Sequence, residues 1–235
     1  MIRNKKYIVT GSSSGIGKSI SENLLNKGAI VIGISRKDDN RKSKNFSHYK
    51  IDLSDTKEGF KGIVKVIQDN KTIDGIISNA GNGVFQSLEN FSPIQIEQFV
   101  NLNLISHIMV TRALLPHFKK NKSGNIIFIG SESAIKGKKF GSLYSACKFG
   151  LRGFSQSVRE EGLNNNLKVS IINPGMVKTP FFKKLNFIHG KNNNEFIESS
   201  DIGKIVLDIL NLRDGTVIDE INLSPLKKVF EVNKN

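Results

Sequence analysis

Thr10-Gly11-Ser12-Ser13-Ser14-Gly15-Ile16-Gly17 is the stretch on which the fold of this chain is decided. It joins a short apolar run, residues 7–10, to residues 16–27, where Ile16, Ile20, Leu24 and Leu25 recur at helical spacing and Gly28 follows as a stop. Glycines let a backbone turn tightly and approach a pyrophosphate. A helix beginning at such a turn offers unpaired N–H groups and the positive end of its dipole. The three serines add hydroxyl donors. The spacing is Gly-x-x-x-Gly-x-Gly rather than Gly-x-Gly-x-x-Gly, and a Gly/Ser turn alone is weak evidence for a nucleotide site. Its position between a strand and a helix strengthens it.

The alternation continues outward from this turn. Strand-like runs at residues 29–34, 49–52, 75–78, 124–130, 169–173 and 217–223 are separated by helical stretches at 60–67, 92–118, 142–164 and 201–212. Nearly continuous apolar strands alternating with helices imply a parallel sheet covered on both faces. The predicted fold is α/β: one doubly wound Rossmann-type domain over residues 1–235, in three layers, with about seven parallel strands in the order 3-2-1-4-5-6-7. Residues 178–199 interrupt the pattern. They are polar, with Asn192-Asn193-Asn194, yet carry Phe181, Phe182, Leu185, Phe187 and Ile188. A long segment of this kind between elements reads as a substrate-binding lid.

Composition narrows the function classes. A chain of 235 residues, 38% hydrophobic, can bury a sizeable core. It has no apolar run long enough to span a bilayer, and residues 1–6 carry no signal-peptide core. The single cysteine, Cys147, cannot form an internal disulfide, so a cytoplasmic location is expected. The net charge of +14 comes from scattered Lys and Arg rather than a block interleaved with aromatics, which predicts a solvated surface and no nucleic-acid partner. That positive field can still draw in an anionic cofactor. His48, His107, His117 and His189 form no metal-ligand spacing, and no metal is expected.

The second strand should end beside an adenosine ribose. An acid there would bind the 2′-hydroxyl; this chain has Ser35-Arg36-Lys37, and Arg36 can pair with a 2′-phosphate. NADP(H) is therefore the expected cofactor, with NAD(H) the alternative. Asp38 and Asp39 follow slightly later, in the loop.

Residues 10–17, Asn79-Ala80-Gly81, Ser131, Tyr144-Ser145-Ala146-Cys147-Lys148 and Pro174-Gly175 occur in an order that resembles the short-chain dehydrogenase/reductase family. No one of these motifs is rare; their joint occurrence in register is specific, and the resemblance runs from Lys5 to about Leu226. Tyr144 and Lys148 lie four apart and share a helix face. An ammonium beside a phenol lowers its pKa, so Tyr144 can act as general acid and base on a carbonyl or secondary alcohol. Ser131, closing a strand thirteen residues earlier, can hydrogen-bond the substrate oxygen, with Ser133 a rival. Asn103 matches the family's active-site Asn, which is held to anchor a water in a proton relay; Asn101 is the alternative.

The resemblance also implies cofactor contacts at Gly11, Ser13, Ser14, Gly15, Ile16 and Gly17, at Asp52 and Leu53 by the adenine, and at Asn79, Ala80 and Gly81 along the ribose. Tyr144 and Lys148 reach the nicotinamide ribose, Pro174-Gly175 turns beneath the nicotinamide, and Val177 and Thr179 hold its carboxamide. Gly83 and Phe85 receive no role. The helices at 92–118 and 142–164 resemble those that pair the family's subunits, predicting a homodimer or homotetramer. The C-terminal residues 219–226 lack the Gly-Gly ending of many members. They resemble a branch active on hydroxy acids, amino-acid alcohols or general carbonyls more than a ketoacyl reductase. The second expectation is a cofactor-binding regulatory or interaction protein on the same fold.

Overall fold

Strand β1, Lys6–Thr10, runs into the glycine turn and then helix α1, Gly15–Asn26. Next come β2, Ile30–Ser35, and β3, Phe46–Lys50, followed by α2, Thr56–Asp69, and β4, Gly75–Ser78. These elements belong to a computed structural model that describes residues 2–232; Met1 and residues 233–235, which the predicted domain includes, lie outside the described residues. The chain continues through α3, Pro93–Val100, a π-helical turn, Asn101–Ile105, and α4, Ser106–Asn121. Strand β5, Gly124–Ile129, helix α5, Ser142–Gly162, and strand β6, Leu167–Pro174, complete the sheet's centre. The short strands β7, Val177–Lys178, β8, Phe187–His189, and β9, Ile197–Glu198, precede α6, Ser199–Asn211. The last two strands are β10, Glu220–Leu223, and β11, Phe230–Val232.

The main sheet has the order β10-β6-β5-β4-β1-β2-β3, every pair parallel, which is the doubly wound order the alternation predicts. One apolar cluster joins one sheet face to α2, α4 and α5 through Ile8, Ile34, Leu114, Phe118 and Leu151. A second joins the opposite face to α1 and α6 through Val9, Ile20, Leu24, Ile202 and Val206. Strands buried on both faces explain the unbroken apolar runs in the sequence.

Several boundaries differ from expectation for local reasons. The third strand is Phe46–Lys50, not 49–52: its alternating polar residues at the sheet edge hide it, and Asp52 and Leu53 fall in the turn beyond. Helix α2 starts a turn early because the Asp55 carboxylate caps it, accepting from the N–H groups of Lys57 and Glu58. The predicted single helix at 92–118 is two helices joined by the π turn. There the Asn103 amide donates to the Phe99 carbonyl at 3.1 Å and the Ser106 hydroxyl to Leu102 at 2.6 Å, diverting carbonyls that a regular helix would use.

Residues 178–199 have structure of their own. Strands β7 and β9 pair in parallel at the neck of the segment, and β8 pairs antiparallel with β11 of the C-terminal tail. Lys191 with Glu231, at 3.5 Å, and the Lys227 N–H with the Asn194 carbonyl, at 2.8 Å, extend that contact.

Candidate active site

Three of the predicted residues meet at the C-terminal end of β5, where an open α/β sheet presents its ligand crevice. Ser131 follows the strand after Gly130 and caps a short helical turn, Glu132–Ala134. Its hydroxyl oxygen accepts the Ser133 N–H at 3.1 Å. Ser133, the rival candidate, thus supplies a main-chain donor that fixes Ser131. Tyr144 and Lys148 stand one turn apart on α5, both buried. The Lys148 ammonium donates to the Ile129 carbonyl at 3.1 Å and lies 5.7 Å from the centre of the Tyr144 ring. One strand end therefore carries the serine and anchors the lysine.

The electrostatics differ from the simplest expectation. Burial pushes the Tyr144 phenol up to about 12, opposed by a hydrogen bond with Ser131 and reinforced by Cys147 and Glu132. Burial brings Lys148 down to about 8, with Cys147 opposing. The predicted lowering of the Tyr144 pKa by Lys148 is corrected here: desolvation dominates and raises it, and Ser131 is the group that lowers it. Tyr144 is thus protonated at neutral pH and suited to give a proton.

Asn103 is fully buried. Its amide nitrogen donates to Asn82 Oδ1 at 3.0 Å as well as to Phe99, and its oxygen accepts the Asn82 N–H at 3.1 Å. It braces the loop after β4. Asn101, its alternative, is less buried at the start of the π turn. Below this loop, His107 is buried with Nδ1 2.6 Å from the Ser78 hydroxyl. Burial first and Lys148 second bring its pKa down to about 3, with the Ala80 main chain opposing.

The glycine turn has the form a diphosphate needs. Gly11 adopts φ +69°, and a Cβ on Gly17 would come within 2.3 Å of the Gly11 carbonyl oxygen, so neither tolerates a side chain. Ser13 and Gly15 are half-buried, and Ile16 packs on the α1 core. The Ser14 side chain makes no capping bond at the start of α1, so it does not occupy the first helical N–H groups. The turn is held from beneath by Thr10. Its buried hydroxyl accepts the N–H groups of Asn79 and Ala80, each at 2.9 Å, while the Asn79 amide donates to the Thr10 carbonyl at 2.9 Å. Asn79 is a clamp between β1 and β4; Ala80 packs on the core and Gly81 is exposed. Thr179 packs against Gly15, joining the neck of the 178–199 segment to the turn. Pro174 ends β6, the Gly175 N–H donates to Leu223 at 2.8 Å, and Val177 is buried in β7.

Arg36 projects from the end of β2, exposed, 4.0 Å from Asp52. The acids that follow it are engaged elsewhere. Asp38 pairs with Lys50 at 3.1 Å, and Asp39 with Arg41 at 2.7 Å, whose guanidinium also donates to the Ser12 carbonyl. Asp52 accepts from the N–H and hydroxyl of Ser54, and the Leu53 side chain is in the core, which leaves its main chain for any ligand. The glycine turn and the uncapped start of α1 fit a dinucleotide's diphosphate. Among the described residues, no cluster of three His, Cys, Asp or Glu side chains forms a metal site.

Sequence reasoning missed the Thr10 clamp, the Ser78–His107 pair and the aromatic wall over Tyr144. Phe85 and Phe181 lie 5.2 and 6.2 Å from its ring, between centres. The aromatic and aliphatic residues of the 178–199 segment, Phe181 and Phe182 among them, were the available signal for that wall.

Residues 5–187 match the family described as short chain dehydrogenase. A 3-oxoacyl-(acyl-carrier-protein) reductase of Buchnera aphidicola is 32% identical over 193 residues, covering 80% of this chain and 79% of the relative. Among solved structures, an alcohol dehydrogenase from Thermococcus sibiricus complexed with 5-hydroxy-NADP superposes with a TM-score of 0.83 at 20% identity, covering 96% of this chain and 98% of that one. A 3-ketoacyl-(acyl-carrier-protein) reductase from Brucella melitensis complexed with NADH gives 0.84 at 18% identity, covering 97% and 100%.

Proposed function

This chain belongs to the short-chain dehydrogenase family and is an oxidoreductase, and from that premise we propose that it passes a hydride between NADP(H) and a carbonyl or secondary-alcohol carbon, with Tyr144 handling the proton. The observation that carries this is the convergence of Ser131, Tyr144 and Lys148 at the end of β5. When bound, the nicotinamide supplies or accepts the hydride. The chain's own residues do the rest. The Ser131 hydroxyl, oriented by the Ser133 N–H, donates to the substrate oxygen and stabilises charge developing there. Tyr144, protonated at neutral pH, gives its proton to the forming alkoxide. Lys148 is held by the Ile129 carbonyl, with two donors left for the ribose and for a water leading to Asn103.

The turn at residues 10–17 would hold the diphosphate, with Gly11, Ser13, Ser14, Gly15, Ile16 and Gly17 around it. Asp52, Leu53, Asn79, Ala80 and Gly81 would line the adenosine, and Pro174, Gly175, Val177 and Thr179 the nicotinamide. NADP(H) is favoured over NAD(H) because Arg36 is exposed while Asp38 and Asp39 are both ion-paired with other partners. Several structural neighbours have NADP in their names. Residues 178–199 serve as a lid: the segment packs Phe181 on Tyr144 and Thr179 on the phosphate turn. An outward groove between α4 and α5, lined by Ile108, Leu115, Pro116, Phe154 and Val158, supports a homodimer or homotetramer. Among the described residues no helix is long and apolar enough to cross a membrane; a cytoplasmic setting is the reading we adopt from the single cysteine.

The test is a ketone and alcohol panel followed at the nicotinamide absorbance with NADPH and NADH in parallel. Turnover should favour NADPH, and Arg36→Ala should weaken NADPH binding about tenfold while sparing NADH, as loss of one charge-assisted contact implies. Tight NADPH binding with no turnover on any substrate would favour a regulatory protein instead.

A further inference from the structure

The candidate site is walled by aromatic rings that belong to different parts of the chain. Phe99, from α3, packs behind Tyr144 at 6.4 Å and is buried. The front rings are Phe85, from the loop after β4, and Phe181, from the 178–199 segment; both are only partly buried. Phe85 also meets Phe187 edge-on at 5.1 Å, and Phe181 meets Phe182 at 5.3 Å. Met176, Phe182 and Leu185 close the cluster beyond them. Gly83 leaves room for both front rings: a Cβ there would lie 2.3 Å from Phe181 and 2.9 Å from Phe85.

Glu132, the acid directly after Ser131, is already engaged. Its two oxygens meet Lys138 at 3.5 Å and Lys228 at 2.9 Å. It is thereby withdrawn from binding a cationic substrate, and each lysine is partly neutralised. A molecule that reaches Tyr144 must therefore separate or replace ring contacts, and only an apolar surface restores what those rings lose.

Resting on the carbonyl-reductase reading above, we propose that Phe85 and Phe181 determine specificity, and that the substrate class is uncharged ketones bearing an aromatic or bulky apolar group next to the carbonyl, together with the matching alcohols. The apolar group sits between the two rings, and the carbonyl oxygen lies toward Ser131 and Tyr144. Hydride enters at the carbonyl carbon from the bound nicotinamide and the proton at its oxygen from Tyr144, so the step balances as a two-electron reduction to the alcohol.

The experiment measures kcat/KM with NADPH for four matched methyl ketones: one with a small alkyl group, one cyclohexyl, one phenyl, and one phenyl with a para-carboxylate. Wild type, Phe85→Ala, Phe181→Ala and the conservative Phe85→Leu and Phe181→Leu are compared. NADPH affinity from nicotinamide fluorescence and the thermal midpoint report whether each variant is folded and loaded. Wild type should prefer phenyl and cyclohexyl over small alkyl by about tenfold or more. Each Ala variant should lower that preference by about three- to tenfold, with NADPH affinity unchanged, and Leu should restore part of it. No preference for apolar groups, equal loss on all substrates in folded and loaded variants, or preference for the carboxylate would overturn the inference while leaving the reductase reading intact. No turnover of any ketone would sink the reductase reading itself.

Discussion

Replacing Thr10 by Val removes one oxygen and keeps the volume, and it should uncouple the phosphate turn from β4. The lost hydroxyl accepts two buried main-chain N–H groups, those of Asn79 and Ala80, both at 2.9 Å. Thr10 is 1% exposed, so water cannot take its place without movement. A buried donor left without an acceptor costs about 1–3 kcal/mol, and two give about 2–4 kcal/mol once small shifts recover part of the loss. Thr10→Ser is the control: it keeps both bonds and loses a buried methyl, costing about 1 kcal/mol. Urea unfolding at two protein concentrations, with equal slopes for the three proteins, measures the difference directly. NADPH affinity should fall with Thr10→Val and hold with Thr10→Ser, because the turn is positioned by the same bonds. If Thr10→Val is no less stable than Thr10→Ser, the hydroxyl is not the clamp described above.

Other expectations concern the turn and the buried bases. Gly17→Ala places a methyl 2.3 Å from the Gly11 carbonyl oxygen; fluorescence titration should find NADPH affinity reduced by at least about a hundredfold, since the backbone can no longer approach the diphosphate. His107 is buried with its pKa lowered from 6.5 to about 3, so the unfolded chain binds the extra proton in that window and stability is lost as pH falls through it. Thermal midpoints of His107→Gln should fall less steeply with acid than those of wild type; parallel curves would rule the buried imidazole out as the cause. Lys148 is lowered from 10.5 to about 8, so its contribution to stability rises with pH between those values. Wild-type stability measured relative to Lys148→Met should climb across that range, and a flat difference would place the ammonium in a better-solvated setting than its burial implies.

The parts of this molecule legible in its sequence are those where one residue type answers one local need. Gly11 and Gly17 could be read because a tight turn with no room for Cβ admits no other residue. The sheet order followed from apolar runs such as Ile8-Val9 and Ile126-Ile127, which only strands covered on both faces require. Asn103, which matches the family's active-site Asn, is fully buried, while Asn101 is less so. What stayed hidden depends on long-range contact. The third strand carries a polar edge pattern and was displaced by several residues. Phe85 looked like an unremarkable loop residue because its partners, Tyr144 and Phe187, are far away in sequence. The effect of Lys148 on Tyr144 was misjudged because spacing on a helix reports proximity and says nothing of desolvation, which is the larger influence on both groups.

The most direct test uses NADPH deuterated at its transferable position, a phenyl ketone, and mass spectrometry of the product alcohol. Wild type should deliver deuterium to the carbinol carbon. Tyr144→Phe should still bind NADPH yet transfer about a hundred- to ten-thousandfold more slowly at saturating cofactor, the usual contribution of a positioned general acid. Transfer at the wild-type rate by Tyr144→Phe would contradict the assignment of proton handling to Tyr144 at the end of β5, and an alcohol formed without deuterium would contradict hydride delivery from NADPH.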